Sequence, residues 1–201
     1  MELPDPDSAF VSRLLDAIEV DILPLTAKGV AAGNKVFGAA LLTKQTLETV
    51  VAETNNEIES PLHHGEMHAL KRFYEIPAAT RPTTDSLIFL STHEPCSLCL
   101  SAITWSGFDN FYYLFSHEDS RDSFAIPHDL NILKEVFDVD PGGYRQSNTF
   151  WESHSIRTLI AQLPTAEQST LNERVKRIIQ QYDVLSSDYQ SSKSDNDIPL
   201  D

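Results

Sequence analysis

The sequence predicts an α/β fold. Segments of helical period alternate along the chain with short apolar runs, the pattern of helices packed on a sheet. Two of those runs, 86–91 and 110–115, are almost entirely apolar or aromatic, as expected of strands covered on both faces. With 201 residues the chain suits one domain with a sizeable core and some length left for an appendage.

Taken in order, Phe10, Leu14, Ala17, Ile18 and Ile22 recur at helical spacing over 7–23, with Asp7 or Ser8 as N-cap and Pro24 marking the end. Residues 28–35 read as a loop, with Gly29, Gly33 and Asn34 as turn formers. The run 36–42 is a strand that turns near Lys44-Gln45 and pairs with 47–52 as a hairpin. His63-His64-Gly65-Glu66 starts a helix that runs to about Glu75 and stops before Pro77. The strand 86–91 leads through His93-Glu94-Pro95 into a helix over 96–107, closed by Gly107, and 110–115 is the next strand. Further on, 155–163 and 166–185 read as two helices separated by Pro164-Thr165. Leu171, Val175, Ile178, Ile179 and Tyr182 give the second an apolar stripe, which belongs against its own domain. The Ser/Asp-rich segment 186–201 reads as a disordered acidic tail.

The formal net charge is −15, a balance that repels polyanions and argues against a nucleic-acid partner. Basic residues gather only weakly, at Lys71-Arg72 and at Arg174, Lys176 and Arg177. A small, free substrate is therefore expected. No run is long enough to cross a bilayer, and the first residues have neither the basic nor the apolar region of a signal peptide. The expectation is a cytoplasmic protein, or a nuclear one in a eukaryote.

Cys96 and Cys99 are the only cysteines, three residues apart. On a helix that spacing puts both sulfurs on one face. His64 offers an imidazole, and Glu66 stands two residues beyond it. One imidazole and two thiolates make a three-ligand zinc site with a fourth position open, as in catalytic zinc sites. A carboxylate close to such a site serves as a proton shuttle. His68, one turn after His64, is an alternative chelating partner, although packing or capping suits it better. Two small buried hydrophobes or a redox pair are rival readings of Cys-x-x-Cys. The preceding Glu94-Pro95 and the upstream His-x-Glu weigh against both.

His-x-Glu followed by Pro-Cys-x-x-Cys resembles the signature of zinc-dependent nucleobase deaminases. Over roughly its first two-thirds the chain resembles the cytidine deaminase-like superfamily. Glu94-Pro95-Cys96, Ala102-Ile103 and Trp105 resemble the branch holding guanine deaminases, fungal cytosine deaminases and tRNA adenosine deaminases. The resemblance implies a three-layer α/β/α sandwich around a mixed five-stranded sheet, with C-terminal helices added. It divides the chain into a zinc-dependent deaminase domain over 1–150, a helical extension packed on it over 151–185, and the acidic tail over 186–201.

The resemblance also implies roles. His64, Cys96 and Cys99 would hold Zn²⁺, and Glu66 would carry the protons of a hydrolytic deamination. Phe37, Gly65 and Pro95 would lie around the substrate. Phe37-Gly38-Ala39 matches the family's first strand, with Val36 in place of a proline, and Gly65 replaces the usual alanine. An asparagine after the hairpin bonds the base in relatives; counting from the strand selects Asn56, against a plain turn formed by Asn55-Asn56. His128 and Asp129 fall where guanine deaminases bring two acidic residues to the base; an N-cap by Asp129 is the alternative. Trp151 would be an aromatic lid or a core anchor, with the core slightly favoured. The substrate implied is a free base or nucleoside, best a guanine-like aminopurine, and the assembly implied is a homodimer. A non-catalytic scaffold subunit is opposed by the intact Glu66, and a tRNA deaminase by the acidic charge and the lack of a basic C-terminal helix.

Overall fold

The structure is a computed structural model describing residues 3–200. Five strands form one mixed sheet in the order β2-β1-β3-β4-β5. They are β1 (Gly38–Thr43), β2 (Thr49–Thr54), β3 (Leu87–His93), β4 (Asn110–Phe115) and β5 (Glu152–Ser155). β1 runs antiparallel to β2 and to β3, while β3–β4 and β4–β5 are parallel pairs. Alternation along the central strands divides the core in two. Ala40, Leu42, Ile88, Leu90, Tyr112 and Leu114 join one apolar cluster. Their neighbours Ala39, Leu41, Leu87, Phe89, Phe111 and Tyr113 join the other. The sheet is thus the middle layer of the α/β/α sandwich that the resemblance implies.

One outer layer holds α1 (Ser8–Asp16), α2 (Leu23–Ala31), α7 (Ile156–Gln162) and α8 (Thr165–Ser192). The other holds α3 (Gly65–Glu75) and α4 (Ser97–Trp105). α5 (His117–Asp122) and α6 (His128–Glu135) follow β4. Asp7 caps α1 by accepting the Phe10 N–H at 2.8 Å. Pro24 does not end the first helix: a π-helical stretch, Ala17–Ile22, carries the chain into α2. Pro24 falls in the first turn of α2, where its missing N–H costs little. The loop expected from Lys28 therefore begins only after Ala31.

Two further expectations need correcting. A boundary at residue 150 would cut off β5, which completes the sheet beside β4. Its residues, Glu152-Ser153-His154-Ser155, lack the apolar run by which strands are read, because this edge strand is held mainly by backbone pairing. The segment 186–201 is not a free tail over most of its length. α8 continues to Ser192, Tyr189 is buried on the stripe that runs from Leu171 through Tyr182, and Gln190 Nε2 donates to Phe124 O at 2.9 Å. Ile198 is buried too, beside an Asn196 whose amide donates to Gly33 O. Polar composition hid an anchor repeating every third or fourth residue. Asp201, the end of that tail, lies outside the described residues, as do Met1 and Glu2 of the expected domain. Arg174 is not part of a basic surface, for its guanidinium donates to Asp16 Oδ1, to Glu19 and to Ser12 Oγ.

At the end of β3, His93 is buried among Phe37, Phe115, Phe124 and Tyr182, with ring centroids 4.7–5.6 Å away. Burial, reinforced by the charge of Arg157, lowers its pKa to about 3. The unfolded chain then binds a proton below about pH 6.5 that the native protein refuses, so the contribution is complete above that pH and is lost as pH falls toward 3. Between pH 7 and pH 5 this group alone removes about 2 kcal/mol of stability. In His93→Phe that increment disappears, as urea midpoints at the two pH values will show.

Candidate active site

α3 and α4 begin at the same end of the sheet, and their first turns meet. His64 is the N-cap of α3 and Cys96 the N-cap of α4, so each functional side chain leaves a helix start rather than a mid-helix face. His64 Nδ1 lies 3.5 Å from Cys96 Sγ and 3.7 Å from Cys99 Sγ, and the two sulfurs are 3.6 Å apart. Bond lengths of about 2.3 Å to sulfur and 2.0–2.1 Å to nitrogen around a tetrahedral ion require S–S edges of about 3.8 Å and N–S edges of about 3.5 Å. The triangle therefore fits zinc. Among the described residues it is also the one group of three His, Cys, Asp or Glu side chains close enough to share an ion.

Glu66 is 4% exposed, with Oε1 accepting from Ser91 Oγ at 2.7 Å and Oε2 lying 3.4 Å from Cys99 Sγ. It stands beside the triangle without completing it. Burial, then the nearby Cys96 sulfur, raises its pKa, so this carboxylate takes up a proton more readily than an exposed one. The thiols diverge. Cys96 is held well below the usual range by its bond with Cys99, and with it by His64; Cys99 is pushed up by the same bond and by burial. Burial alone would lower His64, but hydrogen bonding to Cys96 and the charges of Cys96, Glu66 and Glu57 raise it to about 9.

A cavity of about 320 Å³ opens above the cluster, lined by Phe37, His64, Cys96, His128 and Asp129 among others. Its walls are mostly apolar, with Ile126, Ile132, Pro61 and Leu62 between the polar groups. Asp129 stands in the first turn of α6, whose N-cap is Pro127, so its side chain is not spent on capping. Burial and the Cys96 charge push its carboxyl up to about 7.

Other expected contacts sit elsewhere. Asn56 does not line the cavity: its amide donates to Glu59, and its backbone N–H bonds His63 O. The buried neighbour, Asn55, turns inward, with Oδ1 accepting the Gly65 N–H at 2.5 Å and Nδ2 donating to Glu57 at 2.8 Å. Counting residues from the strand could not tell the two apart, since either suits a turn. Gly65 is pressed against β1, where an added Cβ would meet Gly38 Cα at 2.6 Å, and it is not among the cavity-lining residues. Pro95 is a bend residue whose carbonyl meets His117 Nε2 at 3.1 Å, and it is likewise not a lining residue. Trp151 is a core anchor and not a lid, packed on Phe111 with its indole N–H donated to Thr104 Oγ1 at 2.8 Å. His68 is held by Thr54 O at 2.9 Å. Lys35 and Glu57 line the cavity although no motif marks them.

A buried carboxylate, a three-ligand centre and a small cavity are the parts that zinc-assisted hydrolytic deamination needs. Residues 21–115 match the family described as the cytidine and deoxycytidylate deaminase zinc-binding region. Guanine deaminase of Bacillus subtilis (strain 168) is 29% identical over 116 residues, covering 56% of this chain and 70% of that protein. Among solved structures, a variant of NE0047 in complex with 8-azaguanine superposes with a TM-score of 0.52 at 16% identity, over 85% of this chain and 84% of that one. NE0047 in complex with 2,6-diaminopurine gives 0.51 at 17% identity, over 85% and 82%. In both sequence comparisons the chain is similar to the cytidine deaminase-like superfamily, and the matched residues 21–115 span the helix starts that carry His64, Glu66, Cys96 and Cys99. No helix among the described residues is long and apolar enough to cross a membrane.

Proposed function

We propose that this protein hydrolytically removes an exocyclic amino group, as ammonia, from a free nucleobase or nucleoside, and that a guanine-like aminopurine is the best single substrate. The observation that carries this reading is a buried Glu66 beside the His64–Cys96–Cys99 triangle, two of whose residues, His64 and Cys96, line a cavity sized for one small ring system. Those three residues would hold zinc, whose Lewis acidity makes water a nucleophile near neutral pH. Glu66 does the proton work. Ser91 occupies Oε1, so Oε2 is the atom that takes a proton from water and gives it to the ring nitrogen, then carries the second proton, from the added hydroxyl, to the departing amine. Phe37 flanks the ring, and Asp129 in the cavity wall accepts an N–H of the substrate.

The similarity to a guanine deaminase supports the purine assignment. A homodimer is part of the same reading, supported by Trp105, 91% exposed at the end of α4, and by Tyr74, exposed on α3. The test is ammonia release by the zinc-loaded protein from guanine, cytosine, adenine, their nucleosides, and triazine and pteridine analogues. Release from guanine or a near relative is expected. Silence with every compound would overturn the assignment in favour of a scaffold.

A further inference from the structure

The cavity has a polar corner that the proposed reaction leaves unused. Lys35, just before β1, and Glu57, just after β2, form an ion pair with Nζ 3.0 Å from Oε1 and side chains 7% and 2% exposed. Both line the cavity above His64 and Cys96. A pair taken out of water holds its place only if its remaining donors and acceptors are also met. The carboxylate meets that condition. Glu57 Oε2 accepts the Lys35 backbone N–H at 3.3 Å and Asn55 Nδ2 at 2.8 Å. The ammonium does not. It carries three N–H groups, and among the described residues it donates to Glu57 Oε1 alone.

We propose that Lys35 is a specificity-determining residue whose spare N–H groups receive a ring carbonyl oxygen of the substrate. This rests on the reading above that the cavity holds an aminated ring. The acceptor is a carbonyl and not a phosphate, because one ammonium already neutralised by Glu57 shares this cavity with Asp129. A doubly charged group would face two acidic side chains there, Glu57 and Asp129. A ring without the oxygen leaves the ammonium unmet, and sites built to bond a substrate group reject analogues lacking it strongly. A ring with a second amino group in place of the oxygen turns an N–H toward the ammonium, which is repulsive. Guanine, 2-aminopurine and 2,6-diaminopurine differ in this one substituent and are the probes.

The variant combines Lys35→Met with Glu57→Gln, which leaves no lone buried charge and keeps an acceptor for the Asn55 amide. With zinc-loaded protein, kcat/KM and calorimetric dissociation constants are measured for the three purines. The wild type should favour guanine over 2-aminopurine by about 10²-fold or more. The double variant should lose at least tenfold of that preference, through guanine alone. An equal drop for all three purines, or an unchanged preference, overturns the assignment. Should the double variant not fold, Lys35→Arg, which keeps charge and donors, must retain the preference for guanine; its loss there with folding intact overturns the proposal. If no purine releases ammonia, the purine assignment fails, while the calorimetric ratio still decides whether Lys35 selects for the oxygen.

Discussion

Replacing Glu66 by glutamine leaves zinc bound and slows ammonia release by about 10²–10⁴-fold. Glutamine keeps the volume of the side chain and an oxygen for the Ser91 hydroxyl, which now bonds Glu66 Oε1 at 2.7 Å. It loses the ability to accept a proton at the atom beside Cys99. The loss falls on kcat, because the group acts on protons in flight and not on holding the ring. Metal content and melting temperature stay close to those of the parent, since Glu66 is not one of the three ligands. Substituting the neutral amide also removes a buried carboxylate that pays a desolvation cost, so stability holds or rises slightly. Metal content and steady-state rates measured on one preparation check both halves. Activity equal to the parent's would remove Glu66 from the reaction.

The chemistry was legible in the sequence because it is written in short, local spacings. Cys96 and Cys99 sit on neighbouring positions of one helix start, and His64 and Glu66 do the same at another. Residue type and interval alone suggested that they meet, and the fold brings the two helix starts together. The central strands were legible for a similar reason, since burial on both faces leaves little room for polar residues in 87–90 and 111–115. Features set by distant partners were not. β5 is polar and is a strand only because β4 offers its edge. Tyr189 anchors a serine-rich stretch only because α8 lies along the same apolar face as α1. The inward turn of Asn55 in place of Asn56 depends on Gly65, ten residues on, presenting its N–H. Lys35 and Glu57 are 22 residues apart and meet only once the hairpin between them has closed. Whatever a residue does through such a partner is invisible to periodicity.

Replacing Cys99 by serine should abolish zinc retention and reduce ammonia release to background. The thiol is fully buried at 0% exposure, with the other two ligand atoms 3.6 and 3.7 Å away. A serine hydroxyl at that place is shorter and cannot supply a thiolate, which leaves two strong ligands, too few for a retained ion. The energetic consequence follows from linkage. With free zinc about a thousandfold above its dissociation constant, binding stabilises the native state by about 4 kcal/mol. For a chain of this size that corresponds to roughly 8–16 °C in melting temperature. Chelation should therefore lower the melting temperature of the parent by that amount and leave Cys99→Ser unmoved. Loading also releases protons, because in the metal-free site His64 (pKa about 9) and the raised Cys99 both hold one at pH 7. Zinc affinity of the parent should accordingly fall as the pH is lowered from 9, while the variant shows no such dependence. Stoichiometric zinc in Cys99→Ser, with the parent's response to chelator, would mean that the ion is held by some other set of atoms.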